Sequence, residues 1–267
     1  MAVLDRIFDT LGVIYLYFRL ALHRVLLFIS QTVEYSTMPV SSQYHRTILL
    51  LGDGTAEGIG DAFGHTGLCS RINHLIRKER ETSNLRMLWS VITCGKMFST
   101  AADWRPTAQN GPTLFHRFIR RKPFSNAHVV VLFFGMHDDL TDQRFPQDVA
   151  DIARALALLG KHVIVADLPN VYSHKDERYA VVTSANSRMK HLVQQVAEEI
   201  KPSAISVSLG IETMKTTAMG AHTLRQEKSC ATFNGNGYRL LARDVYEQLV
   251  LAAKRVEWSH WKGKIPL

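Results

Sequence analysis

The chain has 267 residues, of which 46% are hydrophobic and 21% are charged. This composition suits one globular core and excludes a disordered chain, a fibre, a small disulfide-held protein and a polytopic membrane protein. The formal net charge is +8, but the basic residues are spread along the chain with one dense run at positions 116–122, and no nucleic-acid reader motif accompanies them. Three cysteines without a CxxC pair predict neither a disulfide framework nor a zinc site.

The first 44 residues form a hydrophobic N-terminal extension. Residues 1–30 contain no proline and one glycine, and their polar residues recur at helical spacing, so we predict an amphipathic helix. Residues 11–29 have the length of a bilayer crossing. However, Arg19, His23 and Arg24 would lie near the middle of that crossing, at about 2.5–3.5 kcal/mol for each charge. We therefore expect the helix to lie at a membrane interface or to pack on another protein.

A polar connector with a proline, at 37–43, separates this extension from the rest of the chain. We predict an extension and linker at 1–44 and one folded domain at 45–267. In that domain, short apolar runs alternate with amphipathic segments, which is typical of a parallel sheet covered by helices. The predicted strands are 47–51, 88–93, 129–134, 162–166 and 204–207, and the predicted helices are 68–80, 113–121, 147–159, 178–200 and 237–258. The fold class is thus α/β, with a doubly wound, five-stranded parallel sheet and its site at the carboxyl ends of the strands.

Four short blocks lie at the ends of these predicted elements. They are 52–58 (GDGTAEG), 94–95 (CG), 135–138 (GMHD) and 234–238 (NGNGY). In order and position, they resemble the four sequence blocks of the GDSL-type esterases and lipases, the SGNH hydrolase superfamily, over roughly residues 46–256. The resemblance implies a flavodoxin-like SGNH hydrolase fold with a serine nucleophile, three oxyanion donors and an Asp-x-x-His base.

The chain departs from the family pattern at most of the positions that carry chemistry. The nucleophile position is Gly54, and the triad aspartate and base positions are Ser229 and Thr232. The oxyanion glycine and asparagine positions are Gly95 and His137, and the aspartate position of block three is Asp138. Only Gly95 and Asp138 match. Because Gly54 lacks the hydroxyl and Thr232 lacks an imidazole, both ends of the proton transfer needed for acyl transfer are missing. We therefore predict that the chain has no catalytic residue, binds no cofactor or metal, and is not an enzyme.

Other side chains near these blocks offer substitutes for the missing nucleophile and base. Thr55 neighbours the nucleophile position, and Cys94 could act as a nucleophile if its side chain meets His137. A cysteine at the end of a buried strand is more often part of the core, which favours a structural role. His222 is a further candidate base, but its distance from the last block predicts a surface loop.

The same region of the sequence suggests two possible ligand sites. Asp53, His137, Asp138 and Asp139 are hard ligands near one strand end and could bind a metal, but the segment has no second histidine. The glycine-rich run 52–58 could hold a phosphate, but it matches neither GxGxxG nor the Walker pattern, and its two acidic side chains would repel the anion.

The leading functional hypothesis is a non-catalytic scaffold or accessory subunit of a membrane-associated multiprotein complex. Its N-terminal helix would contact the other subunits, and its basic loops suit anionic lipid. The expected location is intracellular and membrane-associated, with the mitochondrial inner membrane as the compartment that composition favours. One alternative is an active GDSL-type esterase or lipase with a rearranged site, acting on acyl esters at a membrane. Another is an RNA-associated subunit of a ribosome-like particle, which the dispersed charge disfavours.

Overall fold

A computed structural model describes most of the domain and a few residues of the extension. The described residues are 44–58, 67–107, 112–169, 175–201, 207–211, 219–222, 230–233 and 235–262, together with eight helical residues between 14 and 29. The connector at 37–43 and the predicted site residue Ser229 lie outside them.

A parallel five-stranded sheet forms the centre of the domain. Its strands are β1 (His45–Gly52), β2 (Leu88–Gly95), β3 (Ala127–Phe133), β4 (His162–Ala166) and β5 (Val207–Ile211). Their spatial order is β2-β1-β3-β4-β5, so the chain first moves to one side of β1 and then to the other, as in doubly wound folds. Gly52, at the end of β1, pairs with Gly95 on β2 and with Phe133 on β3. The carboxyl ends of these three strands therefore meet at one edge.

Helices cover both faces of this sheet. They are α1 (Gly54–Glu57), α2 (Gly67–Lys78), α3 (Arg80–Ser83), α4 (Leu114–Phe118), α5 (Arg144–Leu158), α6 (Glu177–Ile200) and α7 (Gly235–Trp261), with short 3-10 helices at Ala101–Trp104 and Phe124–Asn126. Ile48 and Leu50 of β1 pack against α2 and α7, whereas Leu49 and Leu51 pack against α5 and α6. Because both faces are buried, the strands are continuous apolar runs rather than alternating ones. The predicted α/β class and five-stranded parallel sheet are confirmed.

The C-terminal part of the domain differs in detail from the prediction. The fifth strand begins at Val207 and continues to Ile211, whereas the predicted strand ended at position 207 and began at 204, outside the described residues. The last helix begins at Gly235, two residues before its predicted start at 237, and ends at Trp261. Ser208 and Gly210 interrupt the apolar run, which is why the sequence pattern ended too early.

An antiparallel hairpin precedes the last helix and was not predicted. It consists of β6 (Met219–His222) and β7 (Cys230–Phe233). His222, expected in a surface loop, is the last residue of β6, and Thr232 pairs with Gly220 across the hairpin. Strands of four residues carry too few positions for period-two alternation to be visible in the sequence.

The described residues of the N-terminal extension are helical and present apolar side chains to solvent. The large exposed ones are Ile14, Tyr15, Phe18, Val25, Leu26 and Ile29, with exposed fractions between 42% and 66%. Their spacing places these described residues on one side of the helix. Over the part of the chain that the structure describes, no helix combines the length and the hydropathy that a membrane crossing needs.

Candidate functional site

The candidate site lies at the carboxyl edge of the sheet, where the loops after β1, β2 and β3 meet. Glycine is required where these loops approach each other. A Cβ atom on Gly52 would lie 1.8 Å from the carbonyl oxygen of Phe133, and one on Gly95 would lie 2.2 Å from the backbone nitrogen of Glu57. Neither approach leaves room for a side chain, so the backbones of the three loops are packed directly on one another.

The carboxylate of Asp53 connects the first loop to the third. Its Oδ1 accepts a hydrogen bond from the Thr55 N–H at 2.8 Å, and its Oδ2 accepts one from the Met136 N–H at 2.9 Å. The side chain is fully buried, and burial raises the pKa of Asp53 from 3.8 to about 6, although the hydrogen bonds act in the opposite direction. Asp53 thus positions backbone around the site.

The carboxylate of Asp138 connects the third loop to the second. Its Oδ2 accepts from the Gly135 N–H at 3.0 Å, and its Oδ1 accepts from the Ala101 N–H at 2.8 Å. Burial raises the pKa of Asp138 to about 6, and the charge of Asp53 adds to that increase. Glu57 adds a third connection, because its Oε2 accepts from the Met97 N–H at 2.8 Å. The three loops are therefore held together by three carboxylates.

His137 lies in the third loop of this edge. It follows Met136 and precedes Asp138, so both neighbours in the loop take part in the carboxylate contacts. The side chain is half-buried, and burial lowers the pKa of the imidazole below 6.5. The ring is therefore neutral at neutral pH, which is the form that accepts a proton as a general base. Its centroid lies 5.2 Å from that of the Phe98 ring, at an interplanar angle of 51°.

The two substitute nucleophiles are less well suited to catalysis. Cys94 is 4% exposed, and burial raises the pKa of its thiol to about 12, so the thiolate that would attack a carbonyl is scarce. Thr55 is 8% exposed in α1, with its N–H bound to Asp53. Both residues pack inside the domain rather than facing solvent at the edge.

The acidic residues of this edge are also unsuited to a shared metal. Among the described residues, no group of three His, Cys, Asp or Glu side chains is placed to hold an ion. Asp53 and Asp138 are occupied by backbone N–H donors, and the exposed Asp139 accepts from the N–H and the hydroxyl of Thr141.

The structure brings four of the six predicted site residues to one place. Gly54 is the first residue of α1, Gly95 ends β2, and His137 and Asp138 follow β3. Thr232 lies in β7, and Ser229 is outside the described residues. Sequence reasoning missed Phe98, whose backbone φ is +64° and whose side chain is 59% exposed. Neither property leaves a signal in the sequence.

Comparisons with known proteins extend the description of this fold. No protein-family model and no curated protein matches the chain. A lipase/acylhydrolase structure from Enterococcus faecalis is 18% identical, with a TM-score of 0.50 over 77% of this chain and 95% of that one. An acetylxylan esterase structure from Geobacillus stearothermophilus is 16% identical, with a TM-score of 0.50 over 79% of this chain and 96% of that one. A lipase structure from a goat rumen metagenome is 14% identical, with a TM-score of 0.50 over 76% of this chain and 96% of that one.

These structures confirm that the chain has the fold of the SGNH, or GDSL-type, lipases and esterases. The prediction of a non-enzyme is wrong, because the structures that share this fold are those of esterases and lipases. That prediction assumed that ester hydrolysis is impossible without a hydroxyl at Gly54. Ester hydrolysis needs a base and a nucleophile, and water can be the nucleophile when a neutral imidazole is present.

Proposed function

We propose that the chain hydrolyses carboxylic esters of acyl groups, with His137 as the general base and a water molecule as the nucleophile. The observation that carries this proposal is the position of the half-buried His137 imidazole, whose pKa burial lowers, at the carboxyl edge of the sheet. Sites in doubly wound folds lie at this edge. The likeness to esterase and lipase structures supports the class of reaction.

The proposed reaction has two steps. In the first, the imidazole of His137 takes a proton from water while the water oxygen bonds to the acyl carbon, and the carbonyl electron pair moves onto its oxygen. In the second, that pair returns, the bond between the acyl carbon and the alkoxy oxygen breaks, and the imidazolium gives its proton to the leaving oxygen. The products are a carboxylic acid and an alcohol, and His137 is neutral again.

The carboxylates act on the position of this base rather than on the substrate. Asp53 holds the backbone at Met136, and Asp138 holds it at Gly135, so the residue at 137 follows two fixed peptide groups. A base positioned in this way contributes roughly 10²–10⁴-fold to the rate. Because Gly54 has no side chain, solvent supplies the nucleophile, and no acyl-enzyme forms on that residue.

The test uses the full-length protein with p-nitrophenyl acetate and p-nitrophenyl butyrate. His137→Ala should lower kcat by about 10²-fold or more, while His191→Ala, on the exposed surface of α6, should leave it unchanged. A fluorophosphonate probe should not label the protein covalently. Labelling of Thr55, or loss of turnover in Cys94→Ala, would replace the water mechanism by a covalent one, and absence of turnover in the wild type would overturn the proposal.

We also propose that the N-terminal extension brings the enzyme to an intracellular membrane, with the mitochondrial inner membrane as the first compartment to examine. Support comes from the exposed apolar side chains among the described residues of the extension and from the net charge of +8, which favours an anionic surface. In vesicle flotation, Phe18→Glu combined with Val25→Glu should release the protein from anionic vesicles, whereas Lys190→Ala on exposed α6 should not. Equal flotation of both variants would refute the membrane proposal and leave contact with partner subunits as the role of the extension.

A further inference from the structure

Phe98 carries two unfavourable features for a residue without a role. Its φ of +64° is a left-handed conformation that a bulky aromatic residue rarely adopts. Its large apolar side chain is nevertheless 59% exposed. Burial of the ring in the core therefore does not offset the backbone strain.

The backbone on both sides of Phe98 is fixed by hydrogen bonds. The Lys96 N–H donates to the carbonyl at the end of β1 at 2.9 Å, and the Met97 N–H donates to the carboxylate of Glu57 at 2.8 Å. After Phe98, the hydroxyl of Ser99 donates back to the carbonyl of Lys96 at 2.8 Å. The indole N–H of Trp104 in turn donates to the Ser99 hydroxyl at 3.1 Å. The scaffold thus holds the ring in its strained, exposed position.

That position is beside the proposed base. The ring centroids of Phe98 and His137 are 5.2 Å apart and the rings are tilted, so Phe98 contacts the imidazole while most of its own surface faces solvent. The nearby cation of Lys96 lies over a different ring, 4.7 Å from the centroid of Phe118. An apolar surface next to the imidazole suits an apolar part of the molecule whose carbonyl is attacked there.

We propose that Phe98 is a specificity-determining residue, whose ring binds the apolar acyl chain of the ester beside His137. This inference rests on the proposed ester hydrolysis and deepens it by naming the substrate class, esters of acyl chains longer than acetyl. A chain that covers the ring removes apolar surface from water, and each methylene group in contact improves binding. An acetyl group is too short to cover the ring, so contact with Phe98 adds little to the binding of acetyl esters.

The test compares chain-length selectivity in Phe98→Ala, Phe98→Leu and the wild type, with Trp258→Ala as a control for loss of an exposed aromatic ring. In Phe98→Ala, kcat/KM for p-nitrophenyl octanoate should fall about tenfold or more, and that for the acetate by less than about twofold. Phe98→Leu should retain most of the preference for octanoate, and Trp258→Ala all of it. An unchanged octanoate-to-acetate ratio in Phe98→Ala would overturn the inference while leaving ester hydrolysis intact.

A binding measurement separates failure of this inference from failure of the proposed function. N-methyloctanamide, which is not an ester, is titrated into the full-length protein while the imidazole NMR signals of His137 are followed. The signals should shift in the wild type and in Trp258→Ala, but not in Phe98→Ala. This result would support the acyl-chain site even without ester turnover. Absence of any shift in the wild type would overturn the site.

Discussion

Replacement of Asp53 by asparagine should change stability in a way that depends on pH. Asp53 is 1% exposed, and burial raises its pKa from 3.8 to about 6. Since the folded-state pKa lies above the unfolded one, its contribution to stability is complete below pH 3.8 and is lost as the pH rises through about 6. The full loss is about 3 kcal/mol, at 1.36 kcal/mol for each pKa unit. Roughly 2 kcal/mol of this loss of stability occurs between about pH 4.5 and about pH 7.5, where both proteins can be measured.

The asparagine side chain in Asp53→Asn does not titrate. Its NH2 group also replaces one of the two carboxylate oxygens that each accept a backbone N–H, and the loss of that hydrogen bond costs about 1–3 kcal/mol. The variant should therefore be less stable than the wild type at low pH, by a margin that shrinks by about 2 kcal/mol as the pH rises. Urea unfolding of both proteins at the two pH values, followed by tryptophan fluorescence, measures this margin. A margin that is independent of pH, or that grows with pH, would refute the reasoning.

Asp139→Asn is the matched control. Asp139 is fully exposed, and hydrogen bonds from the hydroxyl and N–H of Thr141 lower its pKa. Its contribution therefore has the opposite sign, being present at higher pH and lost as the pH falls. The margin between this variant and the wild type should grow slightly with pH.

Three further predictions concern other residues. The kcat/KM for ester hydrolysis should rise with pH to a plateau, because the neutral ring of His137 is the reacting form and burial lowers the pKa of that ring; a kcat/KM that falls as the pH rises would contradict it. The free energy of unfolding of Phe98→Gly, measured in urea, should be about 1 kcal/mol higher than that of Phe98→Ala, because glycine adopts a φ of +64° without strain. Equal free energies of unfolding would argue against strain at this position. Glu257→Gln should lower the free energy of unfolding by about 2–3 kcal/mol, because the buried carboxylate accepts from two backbone N–H groups and from the indole of Trp89, and a neutral effect in urea unfolding would count against that role.

The sheet and its working edge could be predicted from the sequence because they depend on local patterns. A strand buried on both faces is a continuous apolar run, as in β1 and β3, and the residues that follow such strands must gather at one edge. Gly95 could be named because it matches the glycine of the second block of the family that the chain resembles, and the structure shows that close backbone contacts at Gly52 and Gly95 leave no room for a side chain.

The properties that decide the chemistry could not be predicted in this way. The lowered pKa of His137 and the raised pKa of Asp53 follow from burial among residues distant in the chain. The loop that gives Phe98 its positive φ is held by a hydrogen bond to Glu57, which is distant in the chain, and by one within the loop itself. The sequence shows the missing hydroxyl at Gly54 but not the environment of the His137 imidazole, and the incorrect inference of a non-enzyme used only the first.

Chemical rescue of His137→Ala by imidazole in solution tests the central claim most directly. If His137 is the general base, the variant should lose turnover of p-nitrophenyl butyrate, and added imidazole should restore part of it in proportion to its concentration. The same imidazole added to His191→Ala should increase only the uncatalysed background. Retention of full activity by His137→Ala, or a loss that imidazole does not restore while the variant remains folded, would contradict the account.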